Sequence, residues 1–433
     1  MNPIVRFAYA AAGSLAEAAA AVAPPGGGKV RRSFSARRDV RERFIAWGRQ
    51  RRDASRPLLW FHAPSVGEGL QARPVLEALR AAHPEIQLAY TWFSPSAESF
   101  AKALDVDVRD VLPFDTRSAA RAALDALRPS ALVFSKLDVW PTLVEEAKRR
   151  DIPLALLSAT LAPGSSRTHP VAKLLLRDAY AALDVVGAIS RDDATRLVAL
   201  GCRPEAVRVT GDTRFDQVIA RAARVDRASG LLQPLRSDRP TLVVGSSWPA
   251  DERALLPAIA ELHRSAPRFR TIIAPHEPTP AHLAPIREWA ASAQLRSATL
   301  GGTGATAADV VVVDRVGVLG DLYALADIAF VGGGFHAAGL HSVLEPAAFQ
   351  VPVIFGPRHH GSRDAGLLLA AGAARSVDDQ RTIVDVVRHW IEDPGARRAA
   401  GAAARRLVEE NAGATARSVT LIEGLLEQTP ATR

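Results

Sequence analysis

From residue 57 onward, short apolar runs alternate with stretches of helical period, and this rhythm constrains the fold more than any single motif. Runs at 58–61, 86–92, 131–134, 153–157 and 185–189 have the length and apolar continuity of buried strands. Residues 70–81, 96–104, 118–127, 139–149 and 171–183 predict the helices between them. A second series places strands at 241–245, 271–274, 310–313, 328–331, 353–355 and 374–377, with helices at 250–263, 319–326, 341–349 and 363–371. Such alternation builds right-handed strand–helix–strand units on parallel sheets. The chain has 433 residues, whereas single cores seldom grow beyond roughly 250–300 residues. Two domains are therefore expected, at 57–220 and 241–400. A linker at 221–240 carries the turn chemistry of Gln233-Pro234 and Ser237-Asp-Arg-Pro240. Residues 401–433 continue a helical period and could return to brace the first domain. The expected class is α/β: two doubly wound, Rossmann-like domains facing each other across a cleft, with ligands at the carboxyl ends of the strands.

The net charge of +8 suggests a nucleic-acid partner until it is located. Residues 24–56 hold eleven Lys or Arg against Asp39, Glu42 and Asp53, which accounts for all of it, so the body is neutral. A nucleic-acid binder would carry a basic face on its body, and none is expected here. The basic segment follows residues 4–23, mostly apolar but broken by Arg6, Gly13, Ser14 and Glu17. Their number could just span a bilayer. A mid-span charge such as Glu17, however, costs about 2.5–3.5 kcal/mol. Ala21-Val-Ala23 has the form of a signal-peptide site, but Pro24 follows it and disfavours cleavage. Residues 1–56 thus read as a marginal anchor or interfacial helix whose basic part lies on anionic headgroups, with a solvated linker as the alternative. The single cysteine, Cys202, excludes an internal disulfide and a cysteine-rich zinc cluster.

Four stretches could carry chemistry. In Phe61-His-Ala-Pro-Ser-Val-Gly-Glu-Gly69 a strand ends, a loop holds His62 and Ser65, and Glu68 enters the first turn of a helix. The helix dipole favours its ionised form, suited to general-base work on a hydroxyl; otherwise it only satisfies free N–H groups. Gly245-Ser-Ser-Trp248 follows the first strand of domain two, with Asp251 and Glu252 in the next helical turn. Ser246 there suits a phosphate or base contact, although such a turn is more often an N-cap. Ile273-Ala-Pro-His-Glu-Pro278 ends a strand in His276 and Glu277. Finally, Val331-Gly-Gly-Gly-Phe-His-Ala-Ala-Gly-Leu-His-Ser-Val-Leu-Glu-Pro346 puts Gly333 and Gly334 before a predicted helix. Its N–H groups and dipole would welcome a phosphate, with His341 and Glu345 one turn apart on one face. The plain alternative is a glycine turn that lets a strand bend into a helix. HExxH, CxxC, GxxxxGK[ST] and GxSxG are all absent.

In this order the motifs resemble the 3-deoxy-D-manno-octulosonic acid (Kdo) transferases, a GT-B family. Trp60-Phe-His62, Ser65-Val-Gly-Glu68, Gly245-Ser246, Pro275-His-Glu277 and Gly333 to Pro346 carry the resemblance over roughly residues 57–400. Gly211-Asp-Thr-Arg-Phe-Asp216 looks like the family's inter-domain block, with Arg214 where lysine is usual. Asp138 in Leu137-Asp-Val-Trp-Pro141 replaces a glutamate, and Ser342 stands where asparagine is common. The resemblance implies transfer of Kdo from CMP-Kdo to a lipid A precursor, with inversion, no cofactor and no metal. It places the enzyme at the cytoplasmic face of the inner membrane. Glu68 would be the base, and His62, Ser65 and Asp138 would line the acceptor site. Ser246, His276, Glu277, Gly333, Gly334, His341, Ser342, Glu345 and Arg214 would hold the donor. Another GT-B glycosyltransferase or a sugar-nucleotide epimerase would share the fold, and a non-enzymatic membrane- or RNA-binding protein is the alternative from a different class.

Overall fold

The computed structural model describes residues 3–22, 28–266 and 268–427. The chain divides into two units, Met1–Asp216 with Ala412–Arg433, and Gln217–Asn411. In the first, β1 (Leu58–His62), β2 (Gln87–Trp92), β3 (Val108–Val111), β4 (Ala131–Ser135), β5 (Leu154–Ala159), β6 (Val185–Ala188) and β7 (Val207–Val209) form one sheet ordered β3-β2-β1-β4-β5-β6-β7. In the second, β8 (Thr241–Ser247), β9 (Arg270–Pro275), β10 (Ser297–Thr299), β11 (Val310–Val312), β12 (Ile328–Val331), β13 (Val353–Phe355) and β14 (Ala374–Ser376) are ordered β10-β11-β9-β8-β12-β13-β14. All neighbours pair in parallel. Both sheets therefore reverse direction once, at β1/β4 and at β8/β12. Ligands of doubly wound sheets bind beyond the carboxyl ends of strands at such reversals.

The strands that the periodicity overlooks are β3, β7 and β10, all at sheet edges. Their sequences, Val-Arg-Asp-Val, Val-Arg-Val and Ser-Ala-Thr, are short and polar because one side has no neighbouring strand. The same reading leaves out the helices Arg191–Leu200, Thr213–Arg224, Pro280–Ser292 and Gln380–Glu392. At the C-terminus, the helix Pro394–Glu410 belongs to the second unit, because Gly401 meets the backbone of Gln350 where a Cβ would clash. Only Ala414–Glu427 lies with the first unit. There Ile422 and Leu425 join the core, and Asp216 accepts from the amides of Gly413 (2.6 Å) and Thr415 (2.9 Å).

Residues 28–56 are part of the first unit rather than a separate basic arm. The helix Val40–Arg51 buries Phe44 to 1% exposure against Trp60, and Gly48 lets it lie on the backbone of Ala126. Several cations are spent on internal contacts. Arg52 donates to the carbonyls of Leu127 (2.7 Å) and Arg128 (3.0 Å) at a helix end, which favours a cation there. Arg43 grips Asp110, and buried Arg37 lies 3.9 Å over the Phe93 ring. The helix Pro3–Val22 is pegged to the same unit: Tyr9 donates to Asp115 (2.8 Å), Thr116 donates to Glu17 (2.8 Å), and Arg6 pairs with Glu145 (2.9 Å). Glu17, which would have been stranded in a bilayer, has partners here. Among the described residues no helix is long and apolar enough to cross a membrane. Ala23 and Pro24, the suspected cleavage junction, lie outside the described residues.

Candidate functional site

The β1/β4 reversal assembles a charged cluster in the first unit. β1 ends in His62, and the helix Val66–Ala82 begins four residues later with Glu68 in its first turn. One Glu68 oxygen accepts from Ser65 Oγ and the other from Lys136 Nζ at 3.0 Å. Burial alone would raise the Glu68 carboxyl. The Ser65 hydrogen bond and the Lys136 ammonium outweigh it and hold the group below the usual glutamate range. Lys136 follows β4 with a left-handed backbone, φ 65°, and Ser135 Oγ donates to the Glu68 carbonyl at 3.1 Å.

His62 is fully buried between Thr91 (Nδ1, 3.0 Å) and Asp138 (Nε2, 3.2 Å). Trp140 Nε1 also lies 3.1 Å from that Asp138 oxygen, and Arg167 reaches the other at 3.5 Å. Burial would raise Asp138, but the His62 hydrogen bond, with the charges of His62 and Arg167, holds it below the usual aspartate range. The three residues expected at the acceptor site, His62, Ser65 and Asp138, thus share one edge of the sheet with Glu68. Lys136, Trp140 and Arg167 were missed. Of these, Trp140 carried a readable signal, since it lies in the loop that follows the strand beside β1.

The β8/β12 reversal in the second unit is built differently. Trp248, directly after β8, stacks on His276 at 4.3 Å and on His336 at 4.4 Å. Its Nε1–H donates to His341 Nε2 at 3.0 Å, which requires that nitrogen to be unprotonated. Burial, then the neighbouring His276, lowers the His341 pKa to the same effect. His276 and His341 are themselves 4.6 Å apart. Three consecutive sheet strands, β9, β8 and β12, therefore bring one indole and three imidazoles together.

Beneath this group lies Asp251, fully buried, in the first turn of the helix Pro249–Ser265. It accepts from the amides of Trp248 (2.9 Å), Gly333 (2.8 Å) and Phe335 (3.0 Å). The expectation that these glycine-turn amides point at a phosphate is corrected for Gly333: a carboxylate of the chain already occupies its amide and that of Phe335. The three glycines are needed for packing. Gly333 has φ 92°, and Gly332 and Gly334 lie so close to the backbones of Ser246 and Gly356 that a Cβ would overlap them.

The predicted helix at 341–349 is also corrected, to Leu344–Ala348. His341 sits in the loop before it, since its amide is drawn back to the Gly332 carbonyl (3.1 Å), so it does not share a helical face with Glu345. Glu345 lies near Arg221 and Asp321, and burial raises its pKa. Ser246 has a left-handed backbone, φ 54°, at an irregularity in β8. Glu277 and Ser342 are exposed and outside the histidine group. Arg214 belongs to the first unit, where it pairs with Asp212 at 2.7 Å. Among the described residues no group of three His, Cys, Asp or Glu is placed to hold a metal ion.

The 3-deoxy-D-manno-octulosonic-acid transferase (kdotransferase) family profile matches residues 38–217. A 3-deoxy-D-manno-octulosonic acid transferase from Bordetella pertussis is 32% identical over 395 residues, covering 88% of this chain and 91% of that protein. The chain belongs to the Kdo transferase family. Another Kdo transferase, from Chlamydophila psittaci, is 31% identical over 79% of each chain. Two solved structures share the fold at low identity. The UDP-GlcNAc 2-epimerase of Neisseria meningitidis bound to UDP-GlcNAc has a TM-score of 0.63 at 16% identity, covering 85% of this chain and all of that one (100%). A glycosyltransferase of Rickettsia africae has a TM-score of 0.56 at 11% identity, covering 86% and 99%. The fold is thus of the GT-B type that transferases and epimerases share. Sequence separates this Kdo transferase family member from the epimerases, because its full-length relatives bear one activity in their names.

Proposed function

We propose that this protein transfers Kdo from CMP-Kdo to a sugar hydroxyl of a lipid A precursor, with inversion at the anomeric carbon and no call on a metal ion. The observation that carries the reading is Glu68, an ionised carboxylate at the β1/β4 reversal, in a chain whose relatives are named Kdo transferases. One Glu68 oxygen takes the proton of the acceptor hydroxyl as that oxygen bonds to the anomeric carbon. The bond from that carbon to the phosphate oxygen breaks, and its electron pair leaves with CMP. His62 and Asp138 set the acceptor edge. His276, His336 and His341, around Trp248, offer imidazole N–H groups to the departing phosphate, and Glu345 accepts from ribose hydroxyls.

The test is to incubate the full chain with CMP-Kdo and a lipid A precursor and to read the product by mass. A mass increase of one or more Kdo residues is expected. CMP release without Kdo on the lipid, or no reaction while UDP-sugars are turned over, would overturn the reading.

We also propose that the helix Pro3–Val22 lies flat on anionic membrane, placing the enzyme at the cytoplasmic face of the inner membrane. Support comes from its outward apolar side chains, Phe7, Leu15 and Val22, each over 70% exposed, with exposed Arg31 and Arg32 nearby in sequence. Deleting residues 1–22 should abolish sedimentation with anionic vesicles while the melting transition of the protein persists. Deleting residues 1–56 should destroy the first unit's transition, because Phe44 is core. Undiminished sedimentation of the shorter deletion would move the binding surface to the body.

A further inference from the structure

The N-terminal helix reaches the acceptor edge of the first unit from behind. Along Pro3–Val22, Tyr9, Gly13 and Glu17 recur every four residues and form one stripe. The stripe lies on Asp115 and Thr116. Tyr9 donates to Asp115 Oδ2 at 2.8 Å, Thr116 donates to Glu17 at 2.8 Å, and a Cβ on Gly13 would touch Thr116 at 3.4 Å. Helix packing alone would explain such contacts. What Asp115 does with its remaining acceptor capacity goes further.

Asp115 is 7% exposed and caps a helix to which it does not belong. Its Oδ2 accepts from the Thr142 amide and its Oδ1 from the Leu143 amide, each at 2.8 Å. These amides belong to the first turn of Pro141–Lys148, whose own N-cap, Trp140, supplies no side-chain bond. Trp140 in turn places its Nε1 at 3.1 Å from Asp138 Oδ2 and at 3.1 Å from His62 Nε2. Tyr9, Asp115, the turn at Trp140 and Asp138 thus form one continuous run of contacts within the first unit. The N-terminal segment reaches Trp140 by a second route as well: Phe93 stacks on the indole at 5.1 Å, under buried Arg37.

The hydroxyl of Tyr9 matters to this run because Asp115 is deeply buried. Burial raises the Asp115 carboxyl, and the Thr142 amide and the Tyr9 hydroxyl are the leading contacts that oppose it. Burial raises the Tyr9 hydroxyl too, so it stays a donor. Without Tyr9, Asp115 keeps only Thr142 and Leu143 for a charge that its surroundings already disfavour, and its hold on those amides weakens. A displacement of about 1 Å in groups that orient a substrate is enough to slow its reaction.

We propose that Tyr9 is a positioning residue of the acceptor site, which through Asp115 fixes the loop bearing Asp138 and Trp140, so that productive acceptor binding depends on the seating of the N-terminal helix. This rests on the transfer reaction proposed above, and gives the helix a task beside membrane contact. Tyr9 touches no reacting atom.

The experiment uses the full-length protein, CMP-Kdo and a detergent-dispersed lipid A precursor, so that attachment to vesicles does not enter. Tyr9→Phe removes the hydroxyl alone. KM for the acceptor should rise by about 10-fold, the scale of one hydrogen bond to a buried charge, while KM for CMP-Kdo changes by about 2-fold or less. Amide exchange at Thr142 and Leu143 should quicken more than elsewhere in the first unit. If Tyr9→Phe does not fold, Glu17→Ala is read instead, because it loosens the same helix at its other peg. The same split is then expected at roughly 3-fold. A merely structural Tyr9 would lower kcat through loss of folded enzyme, with both KM values and the relative exchange at 142–143 unchanged. That outcome, or an unchanged acceptor KM in the folded variant, overturns the inference and leaves the transfer reaction standing. A wild type that transfers no Kdo overturns both.

Discussion

The two sheet reversals perform comparable tasks with opposite physics. At β1/β4 the first unit gathers full charges, Glu68 with Lys136 and Asp138 with Arg167, plus His62. At β8/β12 the second unit gathers an indole, three imidazoles and three glycines, and its fully buried Asp251 is engaged by backbone amides. The first arrangement suits proton transfer, in which a side chain must exchange partners during a cycle. The second suits holding a ligand in a fixed frame, because buried amides that already have a partner do not reorganise. Fold alone does not create this division; the residues at each reversal do.

The comparison breaks most visibly at Glu68. Glu68→Gln should lower turnover by about 100-fold or more while CMP binding stays near normal, as expected for a lost base. Loss of CMP affinity, measured by titration calorimetry, would mean that the first reversal is not separate from donor binding. Asp251→Asn probes the other side. Its amide nitrogen cannot accept, so at least one of the three amides is left bare at about 1–3 kcal/mol. Weaker CMP binding and faster amide exchange at 333–335 should follow, with turnover at saturating donor kept. Unchanged exchange there would refute the role of Asp251 as the support of the glycine turn.

Glu345→Ala should weaken the donor by about 10- to 100-fold, the equivalent of roughly 1.5–3 kcal/mol for hydrogen bonds to a charged group. An unaltered CMP affinity in the folded variant would remove Glu345 from the donor site. The smallest effect is also the sharpest. Glu345 works as an ionised acceptor and its pKa is raised by burial, so donor binding should weaken early as pH falls. Glu68 works as an ionised base and is held below the usual range, so kcat should fall only at lower pH. On acidification, KM for the donor should rise before kcat declines. The reverse order would show that the two carboxylates have exchanged roles.

The central strands were readable because continuous apolar runs can only be buried on both faces of a parallel sheet. Glu68 was readable because a helix N-terminus is a local feature, marked by Ser65 and two glycines. Lys136 was not, because a lone lysine after a strand reads as a solvated charge until the facing carboxylate is known. The glycine turn was legible as a turn but misread in its use. Local sequence cannot show that an aspartate 82 residues earlier fills it. Helical period at 341–349 gave way to five residues, because packing of the glycine segment pulls His341 into the loop.

Two parallel α/β sheets, the strand ends from which the chemistry projects, and membership in a family of sugar transferases are legible along the chain. These follow from periodicity and from residues adjacent in the chain, where short-range sterics and burial decide. The tertiary structure alone decided that the basic N-terminal segment is partly core. It also decided that Trp248 gathers three histidines from separate loops and that Lys136 closes over Glu68. Each of those contacts joins residues far apart in sequence, and a pair interaction of that kind has no energy, and so no signature, until the fold brings its two members within a few ångströms.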